Sequence, residues 1–566
     1  MVSYVLYGFK ETWRRLGNLR RRLSRPPEYI LFLLEGAYPD LPPAGGGPWR
    51  RWTGGRQPNL EELAHRLEQV GADPRVHGVV FQVKNLRLNP AQVEALRDQF
   101  RRLREAGKRV VVWATDYDTH AYWLACAADE ILLQPGGTVG PLGVRQEYLF
   151  LAEALEAAGL RGDFVQISPY KTASDKFTRT DFSEEARAMA EWLADSQFQE
   201  LLGAIQEGRG LDEAGARALV DASPLTDEEA ARRGAVDGLV NAEALPAHVG
   251  REGRPASLAS WEEAARSLLR PPLPRPDRYV ARMRIEGVIV DGWSRRPPLR
   301  LPLPLVGGPQ TGDLSIVQQA RRVAKDRRAV ALIVHVDSGG GSATASEAIA
   351  SALAQVAARK PVVAVMGEVA GSGGYYVTTP AHWVVARPST ITGSIGVLMG
   401  KFVDTGFTRK LRANRRVVSR GEHISLYHPD GPFDERERAW VWAQVERIYQ
   451  LFCQRVAAAR KLTVEAVDRV GGGRVWTGRQ ALEHRLVDQL GGTREAVAKA
   501  LELAGVRGPV AIRDLAEERR LAAPEAGPAA LVEGVAAFLG GLRGLFRAGA
   551  PLVLTPLLWR AGASRE

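Results

Sequence analysis

The chain has 566 residues, 45% hydrophobic and 25% charged, which suits a folded protein of several domains and excludes wholesale disorder. Its two cysteines, Cys126 and Cys453, cannot make a disulfide framework or a zinc site. The net charge of +11 is concentrated in residues 1–25, where Lys10 and six arginines face only Glu11; a nucleic-acid-binding protein would spread it over its folded surface.

Residues 1–27 read as a basic amphipathic helix. Val2, Leu6, Phe9, Trp13, Leu16, Leu19 and Leu23 recur at intervals of three and four, on one face. Trp and Phe on the apolar side and Arg on the other suit an anionic membrane surface; packing on the protein's own body is the alternative. Residues 28–250 then alternate short β-branched runs with longer helical patterns, the sign of a largely parallel sheet with βαβ crossovers. A linker, 251–277, ends in Pro271-Pro272-Leu273-Pro274-Arg275-Pro276.

Residues 278–506 repeat the first unit. A shift of 253 aligns Phe81–Val165 with the second half without a gap, and the shift becomes 251 further on, where Phe182 meets Phe433 and Thr226 meets Thr477. The fold class is therefore α/β with two homologous domains from an internal duplication. Strands are expected at Val110–Ala114 and Val362–Met366, and a helix at Ser346–Ala358. In the excursion Trp293–Gly312, leucines among prolines imply contact with another subunit or a membrane, or a buried crossover. The tail, 507–566, is apolar, but its longest uncharged stretch, Ala548–Trp559, is twelve residues broken by Pro551 and Pro556, too short to cross a bilayer. It could lie in the interface or dock on another subunit.

The chemistry lies where the copies diverge. After one strand the second half has Asp337-Ser338-Gly339-Gly340-Gly341-Ser342, against Lys84-Asn85-Leu86-Arg87-Leu88-Asn89 in the first. Glycines after a strand bring bare N–H groups close to a ligand, as an oxyanion hole or a phosphate cradle does. After the next strand, Gly371-Ser372-Gly373-Gly374 replaces Asp118-Thr119-His120-Ala121. Ser372 is a candidate nucleophile or an ordinary helix cap. A nucleophilic serine needs a base, and no histidine lies in Ser394–Gly400; His382 would sit about three helical turns on. Lysine can serve if burial lowers its pKa; arginine cannot, because it stays protonated. The chain has only 11 lysines among its 76 basic residues.

Ala370-Gly371-Ser372-Gly373-Gly374-Tyr375, the upstream glycine loop and Pro388–Val397 together resemble the S49 family of serine peptidases, the signal peptide peptidase A type, in its long tandem-domain form. In that form the base lysine comes from the first domain, and Tyr170-Lys171-Thr172-Ala173-Ser174-Asp175-Lys176-Phe177 matches its setting. The counterpart of Lys171 in the second half is Ile424. The resemblance implies Ser372 as nucleophile, Lys171 as general base and Ser394 as the residue that orients the base. It implies an oxyanion hole from Gly373 with Gly340 or Gly341. Lys176 is a rival base. Gly339 stands where the family has proline, and the family's N-terminal membrane anchor is not found. The implied fold is Clp/crotonase-like, the assembly a bowl-shaped homotetramer, and the substrates unfolded hydrophobic peptides such as cleaved signal peptides, taken at a membrane. No metal, nucleotide or other cofactor is implied. The rivals are a crotonase-like acyl-CoA hydratase or isomerase and a catalytically inactive membrane-associated scaffold.

Overall fold

The computed structural model describes residues 2–42, 58–295, 308–515 and 552–554. The leucines of the proline-rich excursion and most of the tail lie outside the described residues.

Each half is built on a parallel sheet. In the first, β1 (Tyr29–Ala37), β2 (Gly78–Arg87), β3 (Arg109–Tyr117) and β4 (Glu130–Val139) lie side by side in register. A fifth strand, β5 (Arg161–Gln166), leaves this sheet. β6 (Leu225–Thr226) and β7 (Gly238–Leu239) flank β4, and β8 (Leu258–Ser260) flanks β1. The second half repeats the pattern with β9 (Arg275–Val290), β10 (Gln310–Gly312), β11 (Ala329–Ser342), β12 (Val362–Gly371), β13 (Trp383–Ala386), β14 (Ile391–Gly393), β15 (Leu398–Val403), β16 (Val475–Thr477), β17 (Gln489–Leu490), β18 (Val510–Asp514) and β19 (Leu552–Leu554). The parallel series β8–β1–β2–β3–β4–β7 in one half answers to β18–β9–β11–β12–β13–β17 in the other. The duplicated α/β architecture is thus present strand by strand. β8 and β18 both fall beyond residues 250 and 506, so each sheet uses a short edge strand from what reads as linker or tail.

The strands are continuous apolar runs because helices cover both faces of a parallel sheet. In β2, Val79, Val80 and Phe81 are fully buried, as are Leu332 and Ile333 in β11. The expected helix near Ser346–Ala358 runs from Ala343 to Ala357, capped by Ser342, whose Oγ accepts the Ala345 amide.

The halves meet through a polar seam on the helix Pro90–Glu105 of the first. Asp98 pairs with Arg387 at 2.7 Å and Arg102 with Glu495 at 2.6 Å. Glu94 accepts from the Ser389 hydroxyl and amide, and burial pushes its carboxyl up to about 7. A second tie comes from β5, which pairs antiparallel with β15 of the other half from Arg161–Val403 to Gln166–Leu398. One domain thereby reaches into its neighbour's sheet, and the chain just past β5 carries Lys171.

The N-terminal helix, Val2–Arg22, is held by its polar side. Arg14 and Asn18 donate to the Arg270 carbonyl and Arg21 to that of Arg266. Its apolar side faces outward, with Phe9 and Trp13 exposed by 62% and 61%.

Candidate active site

Two glycine-assisted turns at the ends of neighbouring strands build the site. β12 ends at Gly371, and Ser372 follows with φ 56° and ψ −117°, a backbone that L-residues rarely adopt. Its amide donates to the Gly393 carbonyl at 2.8 Å, which fixes the kink. The helix after it is one turn, Gly373–Tyr376, and the Ser372 side chain makes no capping bond to it. The helix-cap alternative for this serine therefore fails. His382 does not sit along a continued helix; its Nδ1 accepts from the Val362 amide.

The second turn ends β11. Gly340 and Gly341 have φ of 103° and 158°, and a Cβ on Gly341 would stand 2.0 Å from the Ile289 carbonyl oxygen. A Cβ on Gly373 would lie 3.2 Å from Gly340 Cα and 3.3 Å from Gly341 N. Gly373, Gly340 and Gly341 are thus brought together, and only glycine permits the approach. Their amides do not stand equal. Gly340 N–H donates to Ser338 Oγ at 3.1 Å, and that hydroxyl donates to the Gly287 carbonyl at 2.6 Å.

Lys171 arrives from the other half. Its Nζ lies 2.7 Å from Ser372 Oγ, 3.0 Å from Ser394 Oγ and 3.0 Å from the Ser394 carbonyl oxygen. All three residues are fully buried. Stripped of water, the Lys171 amine is held far below the ordinary lysine value. A neutral amine has two N–H groups and one lone pair. The Ser394 carbonyl can only accept, and the Ser394 hydroxyl can accept as well. With both N–H groups so used, the lone pair is left for the Ser372 O–H.

The three expected side chains converge; the rival does not join them. Lys176 sits 4.9 Å above the Phe177 ring, and burial lowers its pKa to about 8. Ile424, the counterpart of Lys171, is exposed by 67%.

The sequence reading missed what holds Lys171 in place. A Cβ on Gly473 would stand 2.6 Å from both Lys171 Cα and N, and one on Gly396 would stand 3.1 Å from its Cδ. Ser168 Oγ donates to the Gly472 carbonyl, Trp192 Nε1 donates to the Val475 carbonyl at 2.8 Å, and Arg474 lies 3.8 Å over the Tyr170 ring. The signal was there: Gly471-Gly472-Gly473 replaces Val220-Asp221-Ala222 of the first half, another point where the copies part.

The chain is similar to several known proteases. The chain is 29% identical to Protease 4 of Salmonella typhi over 88% of its own length and 81% of the relative's. It is 28% identical to Protease 4 of Haemophilus influenzae, over 81% and 75% of the two chains. It is 27% identical to the chloroplastic serine protease SPPA of Arabidopsis thaliana over 79% of this chain, and it spans 66% of that relative. A ClpP1 variant from Listeria monocytogenes aligns with 38% of the chain at 12% identity and a TM-score of 0.24. The protein is a serine peptidase. The model of peptidase family S49 matches residues 102–250 and 354–507, once in each half, and the chain belongs to that family.

Proposed function

We propose that the protein is an endopeptidase with a Ser-Lys dyad that degrades hydrophobic peptides, such as cleaved signal peptides, at a membrane. The observation that carries this reading is the 2.7 Å approach of the buried Lys171 Nζ to Ser372 Oγ. Neutral Lys171 takes the Ser372 proton as Oγ attacks a peptide carbonyl. The carbonyl oxygen turns toward the amides of Gly373 and the Gly340–Gly341 turn, which stabilise its charge. Lys171, now protonated, gives its proton to the leaving amine. Water then attacks the acyl-enzyme with Lys171 again as base, releasing the acid and restoring the serine. Ser394 orients the amine throughout.

Hydrolysis of an apolar fluorogenic peptide by wild type, Ser372→Ala and Lys171→Ala tests this. Turnover is expected from wild type, with both variants lower by about 10²–10⁴-fold, the usual worth of a positioned acid–base group. Wild-type rates from Lys171→Ala would remove the dyad, and an inert wild type would favour the scaffold.

The membrane part rests on the outward stripe of Leu6, Phe9, Trp13, Leu16 and Leu19, which Arg15, Arg20 and Arg22 accompany. Among the described residues no helix is long and apolar enough to cross a bilayer; the stripe itself suits an interfacial attachment. Homo-oligomerisation is supported by the duplication. β5 pairs with β15 between halves. The counterparts of that pair are 414–419, where Val417 and Val418 are exposed by 52% and 87%, and Arg145–Phe150, where Leu149 is exposed by 68%. Joining 414–419 of one protomer to Arg145–Phe150 of the next would repeat the β5–β15 ladder head to tail, a contact that gives a ring where its rotation closes. Val418→Asp is expected to yield monomers by light scattering; an unchanged mass would remove this interface.

A further inference from the structure

The glycine clamp that holds Lys171 is itself held by a side chain. Tyr449 stands on the helix Glu435–Arg460 and is 8% exposed. Its hydroxyl accepts the Gly472 amide at 2.9 Å and donates to Asp468 Oδ1 on the helix Val464–Val470. An ionised carboxylate only accepts, so the hydroxyl proton is turned to Asp468 and a lone pair to Gly472. A Cβ on Gly471 would stand 3.2 Å from that hydroxyl oxygen. The Gly472 carbonyl accepts from Ser168 Oγ, three residues before Lys171. Gly473 lies against the Lys171 backbone and donates to the Ile395 carbonyl at 2.8 Å, and the Arg474 carbonyl accepts the Ser394 amide at 2.6 Å. One strip of four residues therefore carries both the base and the serine that orients it. The first half has the same two helices without this bond. At the shift of 251, Tyr449 falls on Phe198, Asp468 on Arg217 and Gly471-Gly472-Gly473 on Val220-Asp221-Ala222. There the Arg217 guanidinium lies 5.3 Å over the Phe198 ring. Hydroxyl, carboxylate and glycines occur together in the half that receives the lysine.

We propose that Tyr449 is a positioning residue for the general base: its hydroxyl, oriented by Asp468, fixes the strip Gly471–Arg474 so that Lys171 Nζ stays against Ser372 and Ser394 and away from water. The proposal rests on the reading of Lys171 as base. Without the hydroxyl the buried Gly472 amide loses its acceptor, and satisfying it draws water to the strip. Water beside Lys171 favours the charged amine, because burial is what lowers its pKa. The base is then free only at higher pH. The titratable and charged groups around the Tyr449 hydroxyl are Asp468, Cys453 one turn along its own helix, and Arg474, whose Nη1 donates to the Gly471 carbonyl at 3.1 Å. Burial raises the pKa of the phenol itself, so it keeps its proton while Lys171 titrates.

The test is the pH dependence of kcat/KM for an apolar fluorogenic peptide, measured on the full chain. Tyr449→Phe places there the residue that the first half already folds with at position 198. Its acid limb is expected to move up by about one pH unit, an about tenfold loss on the acid side, with the alkaline plateau kept. Asp468→Ala, a change at an exposed position, frees the hydroxyl to turn and should move the limb the same way by less. Phe198→Tyr, the reverse exchange in the first half, should leave the profile in place. A limb unmoved in either Tyr449→Phe or Asp468→Ala overturns the proposal, whether or not the whole curve is lowered. An equal shift in Phe198→Tyr overturns it too. Lys171→Ala separates the two readings. If it keeps full activity, Lys171 is not the base and this inference goes with it. If it is inactive while Tyr449→Phe keeps the wild-type limb, the inference alone is sunk.

Discussion

The two halves fold the same sheet and treat the same helix start in opposite ways. In the first, Asp118 caps the helix Thr119–Ala125 with ordinary extended backbone, its carboxylate accepting the Ala121 amide at 2.8 Å. In the second, Ser372 stands at the helix start with φ 56° and caps nothing. One turn is relaxed and satisfied; the other is strained, and its hydroxyl is left for Lys171. The loops after β2 and β11 differ likewise, since only the second can bring its backbone against Gly373. Duplication supplied two copies of a scaffold, and each then kept a different half of one constellation. The lysine could be lost from the second half because β5 carries the first half's lysine across. Burial at the crossing lowers that lysine's pKa and leaves it a neutral amine, as the proposed mechanism requires of a base.

The most damaging way to probe this asymmetry is to move the base. Lys171→Arg puts in its place a group that stays charged and cannot shed a proton, so activity on an apolar peptide is expected to fall about 10²–10⁴-fold. Adding Ile424→Lys should rescue nothing, because position 424 is open to water rather than facing Ser372. Recovery by the double variant would show that the halves are interchangeable.

A smaller loss is expected from the glycine turn. Ser338 Oγ links the Gly287 carbonyl to the Gly340 amide and is almost wholly buried. With Gly339 where the family has proline, this hydroxyl is the covalently cheap way to stiffen the turn. Ser338→Ala should lower kcat about tenfold to a hundredfold with KM nearly constant, the signature of a group acting through transition-state geometry. Equal falls in affinity and rate would point to a collapsed loop instead.

Much of this was legible because the copies act as controls on each other. Comparing Lys84–Asn89 with Asp337–Ser342, and Asp118–Ala121 with Gly371–Gly374, located the turns, and the lysine's setting located the base. What escaped was long-range. That β5 pairs with β15 across the halves depends on backbone edges, and edges carry no residue code. The bond from Ser338 to Gly340 depends on a χ1 angle. The place of β19 depends on open edges of β11 and β15, strands far apart in sequence that only the folded second half brings side by side. The clamp at Gly471–Gly473 is legible in the same comparison of the halves, since it replaces Val220-Asp221-Ala222.

Burial of Lys171 also has a thermodynamic signature. Its folded pKa lies far below the unfolded value near 10.5, so between the two the unfolded chain binds the extra proton. Wild-type stability therefore gains about 1.4 kcal/mol per pH unit from this group as pH rises toward 10.5. Lys171→Met lacks the gain, so its stability relative to wild type should decline between pH 7 and 9 in denaturant titrations. A constant difference would mean that the amine is solvated and charged when folded. By the same logic, peptidase activity should fall as pH drops through the lowered Lys171 value.

The smallest effects bear most directly on how the halves differ. Asp118→Ala removes a side-chain cap and should cost about 1 kcal/mol, with activity unchanged. Ser372→Gly removes a side chain from a left-handed backbone and should stabilise the fold by about 1 kcal/mol while abolishing activity. The signs are opposite at neighbouring aligned positions because one half spends that turn on stability and the other on reactivity. Thermal melts of both variants against wild type read the pair. If Ser372→Gly proves no more stable than wild type, the bond from Lys171 to Ser372 must offset the backbone strain, and the dyad would then hold the two halves together as well as activate the serine.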